Sequence, residues 1–575
     1  MEINRELQQL GAILLAKSVL DLYPESKIVQ SKLDEFGFDY LFDLTAPLAM
    51  NDLNKIKKQM QKNIDSALKI SYESVNKTTA NQYFLNNNYK EHFISETKDN
   101  IELIKLGDKF VDLCRKLNFD KLSVIKAIEL DNISGMYWLN NANNKQLTAI
   151  HGAVFSSSDE LNKFVEFRNN LKASDHRVVG SQLEIFTFDP LIGQGLPIWL
   201  PNGADIIYEI NCFIHDLLIA NGYMFVSSPI LGTKQLYITS GHWAHYRESM
   251  FPEVQVEKEE YVLRPMTCPH HLVVYKLKPR SYRELPFRIA ENAILHRYET
   301  SGSLTGLERV RTMQLIDTHV VCSLDQIKKV VQKCYQIIET ASNAFNIKIH
   351  SVVLALHDAK DAEKYFNDEK QWAHAENTLE KIVKTLGINY ERKVGDAAFY
   401  GPKIDIQVKN ALGKIITAYT VQLDFLLPER FQLEYIDESG KTQRPVLIHA
   451  SVVGTLERFM AIYLEQTKGV FPLWIAPIGV MIIPVNNENH LKYCEQLCKR
   501  LLKAGIKAKV DSQDDRLAKK IRDAQIKKIP YQLIIGDTEV ANKTITYRKY
   551  GQQDSPNINI SGFVKMLKAE IKNKK

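Results

Sequence analysis

Residues 264–275 read RPMTCPHHLVVY, so Cys268, His270 and His271 put one thiol and two imidazoles within four positions. Thiolate and imidazole are the donors that hold zinc. The run does not say which histidine, if either, shares an ion with Cys268. Residues two apart on a strand share a face, yet they rarely converge on one ion from the same short turn. Two other segments carry cations suited to phosphate. LHRYETSGSLTGLERVR at 295–311 sets Arg297 and Glu299 at the end of a strand, then a Gly/Ser/Thr loop, then Arg309 and Arg311. A guanidinium grips a phosphate through two parallel hydrogen bonds, although an arginine on a strand is often only structural. HASVVGTLERFMAIYLEQTKG at 449–469 places Gly454 ahead of a helix with Arg458 in its first turn, where a helix N-terminus already attracts anions. The plain alternative there is an ion pair from Arg458 to Glu457 or to a distant carboxylate.

These groups need rigid elements to bring them together. YVLRPM, FRIAENAILHRYE and ERVRTMQLIDTHVVC read as strands, and the last alternates apolar positions over a length suited to a central antiparallel ladder. Leu456, Phe459, Met460, Tyr463 and Leu464 follow a helical period. From about Leu473 the chain alternates VMIIPV, ENHLKYCEQLCKRLLKAG, KAKVDSQ, DDRLAKKIRDAQIKK, YQLIIGD and a final helix. That predicts an α/β layered sheet with right-handed crossovers. The first block mixes helical periodicity (Leu7, Leu10, Leu14, Val19, Leu22) with Asn/Lys-rich loops, and His92 is its single histidine before position 150. Three blocks follow: 1–172, 173–472 and 473–575.

A chain of 575 residues, 45% hydrophobic and 25% charged, is an ordinary multidomain globular composition. Its seven cysteines are scattered, odd in number and without a CxxC pair, which speaks for a reducing compartment and against a disulfide framework or a zinc ribbon. The N-terminus has no cleavable signal pattern, and the strongest apolar run, WIAPIGVMIIPV, is too short to span a bilayer. No membrane partner and a cytosolic location are therefore expected. Net charge is +6, but residues 471–575 hold 20 Lys/Arg against 10 Asp/Glu, so the first 470 residues sum to −4. A basic module on a faintly acidic body suits a polyanionic partner; a merely solvated Lys-rich surface is the alternative.

The 295–311 and 449–469 segments resemble motifs 2 and 3 of the class II aminoacyl-tRNA synthetases, and Pro229 sits where motif 1 has its proline. Within that class the chain is similar to the threonyl family. TSGHWAHYRESMF (239–251), RPMTCPHH (264–271), SYRELPFRIAE (281–291), AAFYGPKIDI (397–406), TVQLDFLLPERF (420–431) and RPVLIHASVVGTLERF (444–459) carry the likeness in family order. The resemblance implies an antiparallel-sheet catalytic core and a homodimer. It implies a zinc ion on Cys268, His319 and His449, three ligands from distant strands, with neither His270 nor His271 a ligand. Zinc would bind the amino group and hydroxyl of L-threonine, and Asp317 would accept from that hydroxyl. Tyr400, Lys403 and Gln422 match further residues of the substrate pocket. ATP with Mg²⁺ would give threonyl-adenylate, with Arg297 on the α-phosphate, Arg458 on the γ-phosphate and Glu299 near the adenine, before transfer to tRNA(Thr). Three positions depart from the family pattern: Leu315 and Thr417 stand where glutamines are usual, and Ala450 where an arginine is usual.

The C-terminal block resembles an anticodon-binding domain, where Glu539 and Arg548 match base-reading positions and Asp514 replaces an asparagine. LYPESK (22–27), FVDLCRKLNF (110–119) and MYWLNNANNKQLTAIHG (136–152) resemble the family's α+β editing domain, which clears serine from tRNA with a His-x3-His and a Cys-x3-His pair. Aligned on LYP, the first pair falls on Ile13 and Lys17, and the second reads Cys114…Asn118. Asp112 and Cys114 remain while the histidines are gone, so a structurally kept but hydrolytically silent domain is expected. No counterpart of the family's small domain ahead of editing is expected. Two rival readings are a synthetase-like tRNA-binding or regulatory protein without aminoacylation, which Leu315 favours, and a zinc hydrolase, which lacks a placed general base.

Overall fold

The computed structural model describes residues 3–140, 144–361, 364–410 and 413–574. The chain divides into two units, Met1–Lys172 and Ala173–Lys575. In the second unit, eight strands form one sheet: β1 (Met224–Phe225), β2 (Phe287–His296), β3 (Thr312–Cys322), β4 (Ile349–Leu356), β5 (Glu391–Val394), β6 (Lys403–Lys409), β7 (Ile415–Asp424) and β8 (Val446–Thr455). Their order is β1-β2-β3-β8-β7-β6-β4-β5. The pairings from β2 through β8, β7 and β6 to β4 are antiparallel, and only the short edge pairs β1–β2 and β4–β5 are parallel.

Strand β3 shows why this sequence makes such a sheet. Side chains alternate between faces with a period of two. Ile316 and Val320 enter the main core beneath the helix Ile327–Ala344, together with Val330, Val331, Val421 and Ile448. Asp317, His319 and Val321 take the other face, where Val321 joins Leu272, Ile289 and Leu447 in a second cluster. The polar pair thus costs the main core nothing, because the pleat keeps it on the face that carries the cavity. Helix α2 (Cys268–Lys276) packs on that face through Leu272 and Tyr275, whereas α1 (His176–Gln182) and α3 (Leu456–Thr467) bury Val179, Leu456, Phe459 and Met460 in the main core. Helix α2 departs from expectation. The sequence suggests a strand running into a turn at RPMTCPHH, but Cys268 opens a helix with Pro269 in its first turn, a favoured site for proline.

Toward the C-terminus lies a separate five-stranded sheet ordered Ala508–Val510, Val480–Pro484, Tyr531–Ile535, Thr544–Lys549, Asn557–Asn559. The first two pairings are parallel, as alternating strands and helices require, and the last two are antiparallel. The short helix Asp537–Asn542 and the two antiparallel strands carry little sequence signal, because TITYRK and NIN are short and polar and NIN is the edge strand.

In the first unit, helix Arg5–Leu22 buries Leu10, Ile13, Leu14 and Val19 against an antiparallel sheet ordered Lys27–Leu33, Phe38–Asp43, Gln146–Phe155, Ala127–Tyr137. A second sheet, Ile70–Val75, Ile101–Leu106 and Phe110–Leu113, carries Asp112 and leads into Cys114. This is the α+β organisation expected, although residues 141–143 of the MYWLNNANNKQLTAIHG stretch lie outside the described residues. Among the described residues no helix is long and apolar enough to cross a membrane.

Candidate active site

Register assembles the site. His319 on β3 lies directly opposite His449 on β8, His449 opposite Gln422 on β7, and Gln422 opposite Lys403 on β6. One row across four strands therefore carries four of the residues singled out by sequence. The next row on the same face runs Asp317, Ser451, Thr420, Asp405. Cys268 reaches the end of the first row from α2. Its Sγ and one nitrogen of each of His319 and His449 all lie within 4.8 Å of one another, and all three residues are buried. The donors thus come from one helix start and two neighbouring strands, where the sequence suggested three distant strands.

The hydrogen bonds around these histidines decide which nitrogen is free. Asp424, fully buried, sits with Oδ2 2.8 Å from His449 Nε2. On the other side His319 Nδ1 meets His271 Nδ1 at 2.8 Å, and His271 Nε2 meets Glu291 Oε2 at 3.1 Å. Burial pushes the Glu291 carboxyl up, but bonds from His271 and Ser228 and the Arg264 charge outweigh it and hold the group at about 2, so it is an acceptor. His271 therefore donates from Nε2 and accepts at Nδ1, and His319 donates from Nδ1. With Asp424 as the acceptor for His449 Nε2, the nitrogens left over are His319 Nε2 and His449 Nδ1, which face each other 2.9 Å apart. Such a pair repels unless a cation or proton lies between them. One sulfur and two such nitrogens fit a tetrahedral zinc with one open position, and carboxylate-backed imidazoles are how such ligands are oriented. Burial, with Asp317 and Asp424 nearby, pushes the Cys268 thiol far up; a bound divalent cation reverses that balance.

A cavity of 210 Å³ opens on this cluster. Cys268, His319 and His449 line it with Asp317, Tyr400, Gln422, Arg297 and Arg458. Tyr400 stacks on the His449 ring at 4.7 Å and donates to Gln422 Oε1 at 2.5 Å. Asp317 accepts from the buried hydroxyl of Thr267, and burial raises its carboxyl. Arg458 is not paired with Glu457; its Nε donates to the carbonyl of Glu308 at 3.1 Å. Burial lowers the Arg458 guanidinium, with the charge of Arg297 next. Two cations lining one cavity suit an anionic ligand. Leu315, Thr417 and Ala450 also line the cavity. Glu299 and Lys403 are not among its lining residues: Glu299 pairs with Arg309 at 2.8 Å and Lys403 with Asp405 at 2.7 Å.

Several participants escaped the sequence reading. His271 matches no ligand position of the family, and Glu291, Asp424 and Thr267 stand in the sequence without a pattern that singles them out. A buried carboxylate near a proposed imidazole ligand is the signal that could have found Asp424. His270, by contrast, meets the Leu231 carbonyl at 3.4 Å and packs edge-on to Tyr237.

Comparison with known proteins bears on what such a site serves. Residues 251–467 match the class II core domain of the G, H, P, S and T tRNA synthetases, and residues 479–570 match an anticodon-binding domain. A threonine–tRNA ligase of Ureaplasma parvum is 46% identical over 578 residues, covering 100% of both chains. The chain belongs to the threonine–tRNA ligases. A second threonine–tRNA ligase, from Staphylococcus aureus, is 43% identical over 572 residues, 99% of this chain and 88% of that one. A solved structure from the threonyl-tRNA synthetase of Cryptosporidium parvum superposes with a TM-score of 0.66 at 34% identity, covering 69% of this chain and 98% of its own. As a threonine–tRNA ligase the protein is a class II aminoacyl-tRNA synthetase, a ligase built on the mixed α/β architecture expected.

The two ends of this ligase hold the remaining candidates. Glu539 accepts from the Gly536 amide at 2.9 Å and the Thr546 hydroxyl at 2.8 Å, so it also caps its own short helix. Arg548 keeps a buried Nε without a partner among the described residues. In the first unit Asp112 is engaged by Lys90 and Tyr40. Burial, with Asp112 beside it, pushes the Cys114 thiol to about 12. Lys17 pairs with Asp21 at 2.6 Å; the residue of the first helix that bonds Cys114 is Gln9. Aligning the lost pair on Ile13 and Lys17 is therefore one turn too far along, since Gln9 and Ile13 share the face toward Cys114. Asn118 is tied to Glu6 at 2.9 Å. Of the histidines, His92 packs edge-on to Trp138 and His151 is held by Asp131.

Proposed function

We propose that the protein activates L-threonine with Mg²⁺-bound ATP to threonyl-adenylate and transfers the threonyl group to the 3′ end of tRNA(Thr), reading threonine through zinc. The observation that carries this is a thiol and two imidazole nitrogens converging in the same cavity as Arg297 and Arg458. Cys268, His319 and His449 would hold the ion, which when bound supplies an open Lewis-acidic position for the amine and hydroxyl of threonine. Asp317 accepts a hydrogen bond from that hydroxyl, while Tyr400 and Gln422 close the side of the pocket over His449. Lys403, in the same row, fixes Asp405. Valine has the shape but not the hydroxyl, and a site that demands a polar partner rejects such an isostere by roughly 10⁴-fold. Serine lacks only a methyl group, worth roughly 1–3 kcal/mol, so some serine is activated.

Arg297 stabilises charge on the α-phosphate and Arg458 holds the γ-phosphate, so that the carboxylate of threonine meets phosphorus in line. The help is positional and electrostatic. Glu299, braced by Arg309, borders the adenine side. Residues 173–472 form the catalytic domain, and residues 473–575 bind the anticodon arm through their basic surplus, with Glu539 and Arg548 facing bases. Residues 1–172 are an editing-like domain without hydrolysis of seryl-tRNA(Thr): Asp112 is already satisfied, the Cys114 thiol is far from ionising, and glutamine, isoleucine and asparagine stand where imidazoles would move protons. The enzyme works as a cytoplasmic homodimer.

ATP–pyrophosphate exchange with threonine, serine and valine, run beside metal analysis of the purified protein, tests this reading. Exchange should follow threonine, then serine, with valine near background, and one zinc should accompany each chain. Valine activated as readily as threonine would overturn the zinc-based selection. Rapid deacylation of seryl-tRNA(Thr) by the purified enzyme would overturn the silent editing domain.

A further inference from the structure

A second buried cluster has the composition of a metal site and a different job. Asp175, His176 and Glu465 bring their donor atoms within 4.8 Å of one another. Yet both nitrogens of His176 are already spoken for: Nδ1 lies 2.8 Å from Glu465 Oε1, and Nε2 accepts from the backbone amide of Leu307 at 3.1 Å. An amide can only donate, so Nε2 must carry a lone pair and Nδ1 the proton, which goes to Glu465. No lone pair is left for an ion.

The partners of this histidine identify its role. Leu307 belongs to the loop between Arg297 and Arg311, and Glu465 lies on α3, the helix that begins with Arg458. Arg458 and Glu465 are seven residues apart, two helical turns, and so share a face. Arg458 donates to the carbonyl of Glu308, and Glu465, through His176, holds the amide of Leu307. Consecutive residues of the arginine loop are therefore gripped by one face of one helix. Gly306 completes the fit: its φ is +49°, and a Cβ there would stand 2.3 Å from His176 Nε2. His176 and Glu465 are each 2% exposed, which suits a fixed brace rather than a solvent-facing pair.

We propose that His176 is a positioning residue for amino-acid activation: oriented by Glu465, it locks the loop that follows Arg297 onto the helix that carries Arg458, setting the spacing of the two phosphate-binding arginines. It touches no substrate. This role belongs to the activation step of a threonine–tRNA ligase and stands whether or not zinc selects the amino acid.

The test is ATP–pyrophosphate exchange by full-length H176A, H176N and H176Q, with KM for ATP and threonine and the melting temperature measured for each. Glutamine can place an acceptor oxygen near the position of Nε2, whereas asparagine reaches only as far as Nδ1. In H176A and H176N, kcat/KM for ATP should fall about tenfold to a hundredfold, the cost of a roughly 1 Å misplacement, while KM for threonine changes less than about twofold. H176Q should recover most of that loss. Amide hydrogen exchange over 300–311 should quicken in H176A and return toward wild type in H176Q. Equal loss in H176Q and H176A, or a lowered melting temperature with unchanged kinetic constants, would reduce His176 to a packing residue and overturn the proposal. If H176A does not fold, E465Q and E465L replace it: E465Q keeps an acceptor and should stay near wild type, E465L should show the ATP defect, and identical behaviour of the two would be fatal to the idea.

Discussion

Asp424 offers a direct measure of how the proposed zinc site is built. The D424N substitution keeps the size of the side chain but removes its charge, and the amide can present hydrogens where the carboxylate presents only oxygens. In the native protein Asp424 accepts from His449 Nε2 at 2.8 Å and from the Leu427 amide at 2.9 Å, with no exposure to solvent. A hydrogen bond to a buried charge contributes about 1.5–3 kcal/mol, and carboxylates behind ligating imidazoles change metal affinity about 10–100-fold. Zinc affinity of D424N should therefore weaken by about 10–100-fold, or roughly 1.4–2.7 kcal/mol. Competition against a chromogenic chelator near neutral pH reads this directly, with circular dichroism confirming the fold. H270A is the control, since His270 lies outside the bonded chain and its loss should leave affinity within about twofold. Wild-type affinity in D424N, or equal weakening in H270A, would refute the orientation argument drawn from Asp424.

Glu457 supplies a pH test. Burial raises its carboxyl to about 8, although the Glu457 and Gln314 amides and Trp199 pull it down. Between an unfolded value near 4.5 and about 8 the folded state holds one proton more, so stability falls as pH rises across that window and is level above it, by at most about 5 kcal/mol. E457Q should remove that slope, gaining melting temperature over wild type at pH 8.5 but not at pH 4.5; a difference independent of pH would count against it. D317A should lower kcat/KM for threonine about 10–100-fold, the loss of a bond to a charged acceptor, and narrow the threonine-to-valine ratio in pyrophosphate exchange; an unchanged ratio would remove Asp317 from selection. At Gly454, φ is +65° and a Cβ would stand 2.5 Å from the Ala418 carbonyl. G454A should cost about 1–3 kcal/mol in denaturant unfolding and slow activation, since Ala418 lines the cavity; wild-type stability would show that the turn relaxes freely.

Much of this was readable in the chain because strong local periodicity coincided with the tertiary roles. The alternation in TMQLIDTHVVC named the strand and put Asp317 and His319 on one face, and the helical spacing from Leu456 to Leu464 named α3. RPMTCPHH gives no such signal: two prolines and a short apolar run carry no clear period. The support of the site was harder to see. Asp424, Glu291 and His271 act only through other side chains, and their meaning depends on which strands pair. His176 shows no pattern at all, since its partners Leu307 and Glu465 lie 131 and 289 residues away. The departures Leu315, Thr417 and Ala450 were visible from the family pattern, but that all three face one cavity required the sheet.

The row of cross-strand partners also sets a timetable for synthesis. Cys268 leaves the ribosome before His449 is made, and 449 − 268 leaves 181 residues still to be added before its distant partner exists. At about 5–20 residues per second the thiol waits on the order of 10–40 s without the cage that will enclose it. During that interval any oxidant or soft cation can reach the sulfur, and closure of β8 against β3 ends the exposure. A nascent chain stalled after His271 and before His319 would carry a bare cysteine beside two histidines of its own, the RPMTCPHH trio, with nothing to choose among them.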